Sequence, residues 1–235
     1  MKLYAFSDCH LSGDPPTKPM DIFGENWKNH REKILSAWKE TITAGDTVIM
    51  AGDISWAPHL EDALSDLKTL SALPGRKIIV RGNHDYWWNT VSKMKRMTDN
   101  AFEFIFNSAL SVENIALAGT RGWIPETSKK ITEEDKVIIL REQGRLERSL
   151  IEAEKFNCKK IFAILHYPPF DEQRRPTKMM EIMRSHGVTD CIYGHIHGKQ
   201  NFNNLPKELE GIQLHLTSSD YLDFKPLLLT EWNES

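Results

Sequence analysis

Five short clusters of metal-binding side chains follow one another along this chain. They read Asp8-Cys9-His10, Gly52-Asp53, Gly82-Asn83-His84-Asp85, His166 and Gly194-His195-Ile196-His197. Asp, Asn and His bind hard-to-borderline divalent cations through oxygen or imidazole nitrogen. Four clusters directly follow apolar runs, at 3–6, 48–51, 78–80 and 161–165, and the fifth follows the short segment 191–193. Short apolar runs of this kind read as strands. Ligands that recur at strand ends are what an α/β protein needs to assemble one site along the edge of one sheet.

The segments between the clusters fit that class. Gly13, Pro15, Pro16 and Pro19 make 11–23 a loop. Trp27, Ile34, Leu35, Trp38 and Ile42 recur at helical spacing, as do Leu60, Ala63, Leu64, Leu67 and Leu70, with Pro74-Gly75 ending the second helix. A further helix is expected over 87–97 and strands over 77–81, 102–106 and 114–118. The charged stretch 133–155 reads as a long solvated helix whose buried stripe is Val137, Leu140, Leu146, Leu150 and Ala153. A short helix near 179–186 follows, and 213–217 and 227–232 close the chain as antiparallel strands. The whole is expected to be one domain over 1–235, a layered sheet with flanking helices.

Composition narrows the chemistry. The 235 residues carry a formal net charge of −3, which supplies no basic field for general nucleic-acid binding. Affinity for phosphate must then be local. Three scattered cysteines, Cys9, Cys158 and Cys191, build neither a disulfide framework nor a paired-cysteine zinc site, so a reducing, cytoplasmic setting is expected. Cys9 reads as a small buried hydrophobe. No run approaches the roughly 20 apolar residues of a membrane span, so no membrane partner is expected.

Each cluster has its own logic. In extended backbone, positions i and i+2 face the same side, so Asp8 and His10 can grip one cation. Asp53, at the end of an apolar strand, must cap a helix or meet a cation, and its two oxygens suit a bridge between two ions. Asn83 offers a neutral amide oxygen. His84, with Asp85 beside it, suits an imidazole held protonated to donate to a leaving oxygen. Pro168 keeps Tyr167 out of the helical region, which presents His166 at a strand end. Glycines on both sides of His195-Ile196-His197 allow close backbone approach. The helical His-Glu-x-x-His pattern of zinc proteases is absent from the sequence.

Taken in order from Asp8 to His197, the pattern D-x-H, G-D, G-N-H-D, H, G-H-x-H resembles the calcineurin-like metallophosphoesterase superfamily. That resemblance implies an α/β fold, a four-layer α/β/β/α sandwich with mixed sheets, and a dinuclear metal centre. It implies that Asp8, His10 and His197 hold one ion, that Asn83, His166 and His195 hold the other, and that Asp53 bridges them. His84 is implied as the group that assists the leaving oxygen, with Asp85 as its orienting partner, while water activated between the ions attacks phosphorus. The mixed nitrogen and oxygen ligands suit manganese, iron, zinc, nickel or cobalt.

One departure is informative. After Gly52-Asp53 the chain reads Ile54-Ser55-Trp56-Ala57-Pro58-His59, without the arginine of the Ser/Thr protein phosphatases. Arg81 before Gly82 echoes that branch. The expected substrate is a small phosphorylated metabolite or nucleotide, as monoester or diester. A non-catalytic protein-binding scaffold is the alternative, but it would be expected to lose ligands or His84, and none is lost. A nuclease would need a basic groove. Arg121 and Trp123, in the glycine turn after an apparent strand, are candidates to hold a phosphoryl oxygen and a flat substrate face. Trp56 and Trp87 lie near motif loops, and His59 lies near the Asp53 loop.

Overall fold

The computed structural model describes residues 1–232. The chain falls into two compact units, one made of Met1–Phe104 with the chain from Thr217 onward, the other of Ile105–Leu216. The first begins with β1 (Lys2–Phe6), α1 (His30–Thr41), β2 (Thr47–Met50), α2 (Leu60–Ser71), β3 (Arg76–Ile79), α3 (Val91–Met97) and β4 (Glu103–Phe104). The second holds β5 (Ala109–Val112), β6 (Ile115–Thr120), α4 (Glu133–Glu154), β7 (Lys160–Leu165), α5 (Lys178–Ser185), β8 (Asp190–Tyr193), β9 (Glu208–Leu209) and β10 (Ile212–Leu216). The last strand, β11 (Leu227–Glu231), returns to the first unit.

Each unit is built on its own mixed sheet. The first runs β11-β1-β2-β3-β4, with β1 to β4 parallel and β11 antiparallel to β1. The second runs β5-β6-β7-β8-β10-β9, with a parallel centre and antiparallel edges. The fold is therefore mixed α/β with two mixed sheets flanked by helices, as expected. The ligand clusters, however, do not all leave one sheet. Asp8, Asp53 and Asn83 follow β1, β2 and β3, whereas His166 and His195 follow β7 and β8. An apolar run marks where a strand ends; which strand it pairs with is a tertiary property.

Register explains why loops from separate strands emerge together. Phe6 pairs with Met50, and Met50 with Ile79, so β1, β2 and β3 finish in line. In the second unit Ala163 pairs with Cys191 and Ile164 with Ile192, which aligns the ends of β7 and β8 in the same manner. Behind these ends lie two apolar cores. Phe6, Met50 and Ile79 pack with Trp38 of α1 and Leu67 and Leu70 of α2. Ala118, Ala163 and Cys191 pack with Leu146 and Leu150 of α4 and Met180 and Met183 of α5.

Several expected boundaries shift for identifiable reasons. Trp27 lies in a 3-10 turn (Glu25–Trp27) ahead of α1 rather than in the helix, because Asn29 takes a left-handed conformation. The helix expected from Trp87 starts at Val91, where the Thr90 side chain accepts the Lys93 amide as its cap. The strand expected over 102–106 contracts to β4, and the short strands β5 and β9 were not anticipated. β10 was expected to be antiparallel; it runs parallel to β8 and antiparallel only to β9. Among the described residues, no helix is long and apolar enough to cross a membrane.

The stripe expected on α4 needs correction. Val137 and Leu140 are 64% and 69% exposed, and the buried positions are Ile139, Glu142, Leu146, Ser149, Leu150 and Ala153. Those positions recur at three and four, so the helix faces inward about an axis that leaves 137 and 140 outside. Glu142 lies on the buried side because Arg145 donates to it at 2.6 Å and Thr120 hydrogen-bonds it from β6. Apolarity alone could not reveal a buried glutamate. Truncating Leu146 to Ala should cost about 2–5 kcal/mol of stability in urea unfolding, as for other buried leucines. Leu140→Ser should change stability by no more than about 0.5 kcal/mol. The opposite ranking would show that α4 buries a different face.

Candidate metal centre

The loops after β1 and β2 depart from extended geometry. Asp8, His10 and Asp53 have φ of 58°, 47° and 54°. The left-handed region is uncommon for residues with a β-carbon, and such residues cluster at functional sites where neighbours hold them. The extended i, i+2 geometry expected for Asp8 and His10 is thus not the one found. Neighbouring backbone enforces the turn. Asp8 N donates to Gly52 O at 2.9 Å, His10 N to Asp53 O at 3.0 Å, and Leu11 N to Ile54 O at 3.0 Å. From the chain after β10, Ser219 Oγ donates to the carbonyls of Ser7 at 2.6 Å and Asp8 at 2.9 Å.

The outcome is a buried cluster of donors. His10 Nε2 lies 3.8 Å from Asp8 Oδ1 and 3.8 Å from Asp53 Oδ2, and no member of the trio is more than 3% exposed. These separations exceed hydrogen-bond length. Two ligands each about 2.1 Å from a shared ion can be at most about 4.2 Å apart, so the spacing fits a divalent cation between them. Two carboxylates buried this close also need positive charge to offset their lost hydration. The residues present fit a metal. Cys9, between two of the ligands, lies in the apolar core, where burial pushes its thiol well above the usual range.

The third loop is organised by Asp85, which is fully buried. Its carboxylate accepts the amides of Gly82 at 2.7 Å, Asp53 at 2.9 Å and Ile54 at 2.8 Å, and the indole N–H of Trp87 at 2.9 Å. Asp85 ties the Asn83-His84 loop to the Asp53 loop. His84 N donates to Asp53 Oδ1 at 2.8 Å, so one oxygen of Asp53 is anchored while the other faces His10. Gly82 allows this approach: a β-carbon there would lie 2.1 Å from Asp53 Oδ1. Asn83 and His84 follow it, both half-buried. Trp56 was noted only for its nearness to a motif. Its ring stacks on His10 at 4.8 Å and lies 4.1 Å from that of His84, with Lys18 Nζ over it at 3.3 Å.

The second unit supplies imidazoles. His166 is fully buried, and its amide and that of Tyr167 both donate to Arg121 O at 3.0 Å. Gly194 N returns to His166 O at 3.1 Å, which brings the His195 loop alongside. The rings of His166 and His195 are 5.2 Å apart, and Tyr167 packs on His195 at 4.1 Å. His195 is another left-handed residue, with φ 70°. The His197 carbonyl accepts from Asn201 Nδ2 at 2.7 Å.

The Arg121 guanidinium, only 10% exposed, lies 3.6 Å from Glu142 and 4.3 Å from the centre of the Trp123 ring, whose N–H donates to Asp135 at 2.8 Å. His59 precedes α2 as an exposed residue, and Trp87 is buried with its N–H on Asp85. Of the other histidines, His186 pairs with Glu154 and His215 with Asp190, while burial lowers the pKa of His30.

The family model for calcineurin-like phosphoesterases matches residues 1–199. No curated protein matches the sequence significantly. Among solved structures, Thermus thermophilus TT1561 aligns with a TM-score of 0.61 at 12% identity, covering 96% of each chain. The Aquifex aeolicus protein of unknown function AQ665 aligns at 0.53 and 20% identity, covering 97% of this chain and 95% of its own. A phosphopantetheinyl hydrolase from Mycobacterium tuberculosis aligns at 0.53 and 13% identity, covering 100% and 98%. At these identities the likeness concerns the fold.

Gly82→Ala tests the packing of the loops. The added methyl must displace Asp53, so metal content should fall together with thermal stability. Retention of wild-type metal content by a folded Gly82→Ala protein would show that the close approach to Asp53 is dispensable.

Proposed function

The chain belongs to the calcineurin-like phosphoesterase family, and on that premise we propose that it is a dinuclear-metal-dependent phosphohydrolase acting on a small phosphorylated metabolite or nucleotide. The observation that carries the reading is the buried Asp8–His10–Asp53 cluster, whose spacing and charge call for a cation. On this reading Asp8, His10 and His197 would hold one ion and Asn83, His166 and His195 the other, with Asp53 available to both. Two such ions, when bound, supply Lewis acidity toward phosphoryl oxygens and lower the pKa of an attacking water.

The chain's own residues do the rest. Asp53 and Asp85 hold the loop that carries Asn83 and His84, so ligand and proton donor share one anchored loop. His84 donates a proton to the departing oxygen. Trp56 limits where that imidazole can swing, and exposed Tyr86 flanks it at 6.1 Å. Cys9 is buried in the apolar core, and the attacking group on this reading is water.

His84→Asn separates proton donation from metal binding. Metal content should stay at the wild-type level while turnover of an alkyl phosphate falls roughly a hundredfold or more. The loss should be much smaller for p-nitrophenyl phosphate, whose leaving group needs little protonation. Equal losses on both esters would assign His84 to phosphate binding instead.

A further inference from the structure

Beside the imidazoles of the second unit lies an open cavity of about 340 Å³. His195 and His197 stand on one side, and Tyr167, Pro168, Phe170 and Arg174 also line it. That volume lies within the range of small-molecule sites, which are mostly apolar with a few placed polar groups. A lone phosphate would leave most of it unfilled.

Arg174 is presented by a built turn. Phe170 and Pro176 form an antiparallel bridge, and Asp171 N donates to Arg175 O at 2.9 Å. The Asp171 carboxylate accepts the amides of Gln173 and Arg175, each at 2.9 Å, and Arg175 Nε at 2.8 Å. Asp171 borders the cavity but is paired with Arg175, and Glu172, which also borders it, is exposed. Arg174 sits within this turn with φ 63°, a conformation that residues with a β-carbon avoid, and its amide donates to Asp171 O at 2.9 Å. Its half-buried guanidinium lies 5.4 Å from the centre of the Phe170 ring. Among the described residues no carboxylate forms an ion pair with it, whereas Arg175 next door is paired. The turn holds a cation on the wall of a cavity whose lining is part apolar, from Ile124, Pro168 and Phe170, and part polar.

We propose that this cavity receives the leaving group of the substrate and that Arg174 binds a second phosphate on it. The preferred ester then has a leaving group with an aromatic or apolar part and a further phosphate, the chemistry of a nucleotide carrying two phosphates. This rests on the phosphohydrolase reading above. Guanidinium grips phosphate through two parallel N–H bonds, and partial burial strengthens them relative to water. The apolar lining of Pro168 and Phe170 offers a face to a base.

The test compares adenosine 3′,5′-bisphosphate with adenosine 3′-monophosphate on wild type, Arg174→Ala and Arg174→Lys. Dissociation constants are measured on the metal-stripped protein and kcat/KM on the metal-loaded enzyme. The wild type should favour the bisphosphate roughly tenfold to a hundredfold in both measures, the scale of charge-assisted hydrogen bonds. Arg174→Ala should erase that preference, while Arg174→Lys keeps part of it. Equal affinity of the wild type for the two nucleotides, or a preference that survives Arg174→Ala, would overturn the proposal. Should the wild type hydrolyse none of these esters, the phosphohydrolase reading fails, yet the affinity ratio still decides the role of Arg174.

Discussion

The carboxylate of Asp85 is the contact on which the ligand loops of the first unit depend. It is buried, and it accepts backbone amides from two loops and an indole N–H. A buried carboxylate is tolerable only when its lost hydration is replaced, and bonds to a charged acceptor contribute about 1.5–3 kcal/mol each. Those amides belong to Gly82 on one loop and to Asp53 and Ile54 on another. The same interaction that satisfies Asp85 therefore fixes the spacing between two ligand-bearing strand ends.

From that lock the rest follows in order. Asp53 is held in a left-handed conformation, with one oxygen on the His84 amide and the other facing His10. Asp8 is held in the same region by bonds from its own amide and from Ser219. Left-handed residues with β-carbons cost roughly 1–3 kcal/mol each and persist only when surroundings over-determine them. Here the surroundings are parallel strands whose ends are aligned by register, so the strain is stored where the donors converge. The glycine at position 82 belongs to the same design, since any side chain there would collide with Asp53.

Much of this was legible before any coordinates, and the limits are physical. The five clusters at strand ends were readable because apolar runs and ligand residue types are local signals. Helix α2 was readable because its leucines recur at helical spacing. Pairing was not: nothing local tells that β10 runs parallel to β8, or that His166 and Asp53 leave different sheets. The backbone of Asp8 and His10 was misjudged as extended because hydrogen bonds from distant chain, not propensity, set their φ. The α4 stripe was misplaced because Glu142 is drawn inside by Arg145 and Thr120, and polarity normally argues for exposure. Arg121, a candidate substrate clamp beside a half-buried tryptophan, lies 3.6 Å from Glu142 and 4.3 Å from the centre of the Trp123 ring. The structural part of Asp85 was hidden for a similar reason: a carboxylate next to a histidine suggests a partner for the ring, whereas its bonds to backbone become visible only in three dimensions.

The account turns on Asp53 as the shared ligand, and metal stoichiometry tests it most directly. Elemental analysis of purified wild type and Asp53→Asn, side by side, should find two divalent ions per chain in the former. The variant should hold clearly fewer, because on the proposed reading it lacks the carboxylate shared by both ions, and its phosphoesterase turnover should fall in step. An Asp53→Asn protein that keeps two ions per chain and near-normal turnover would contradict the account.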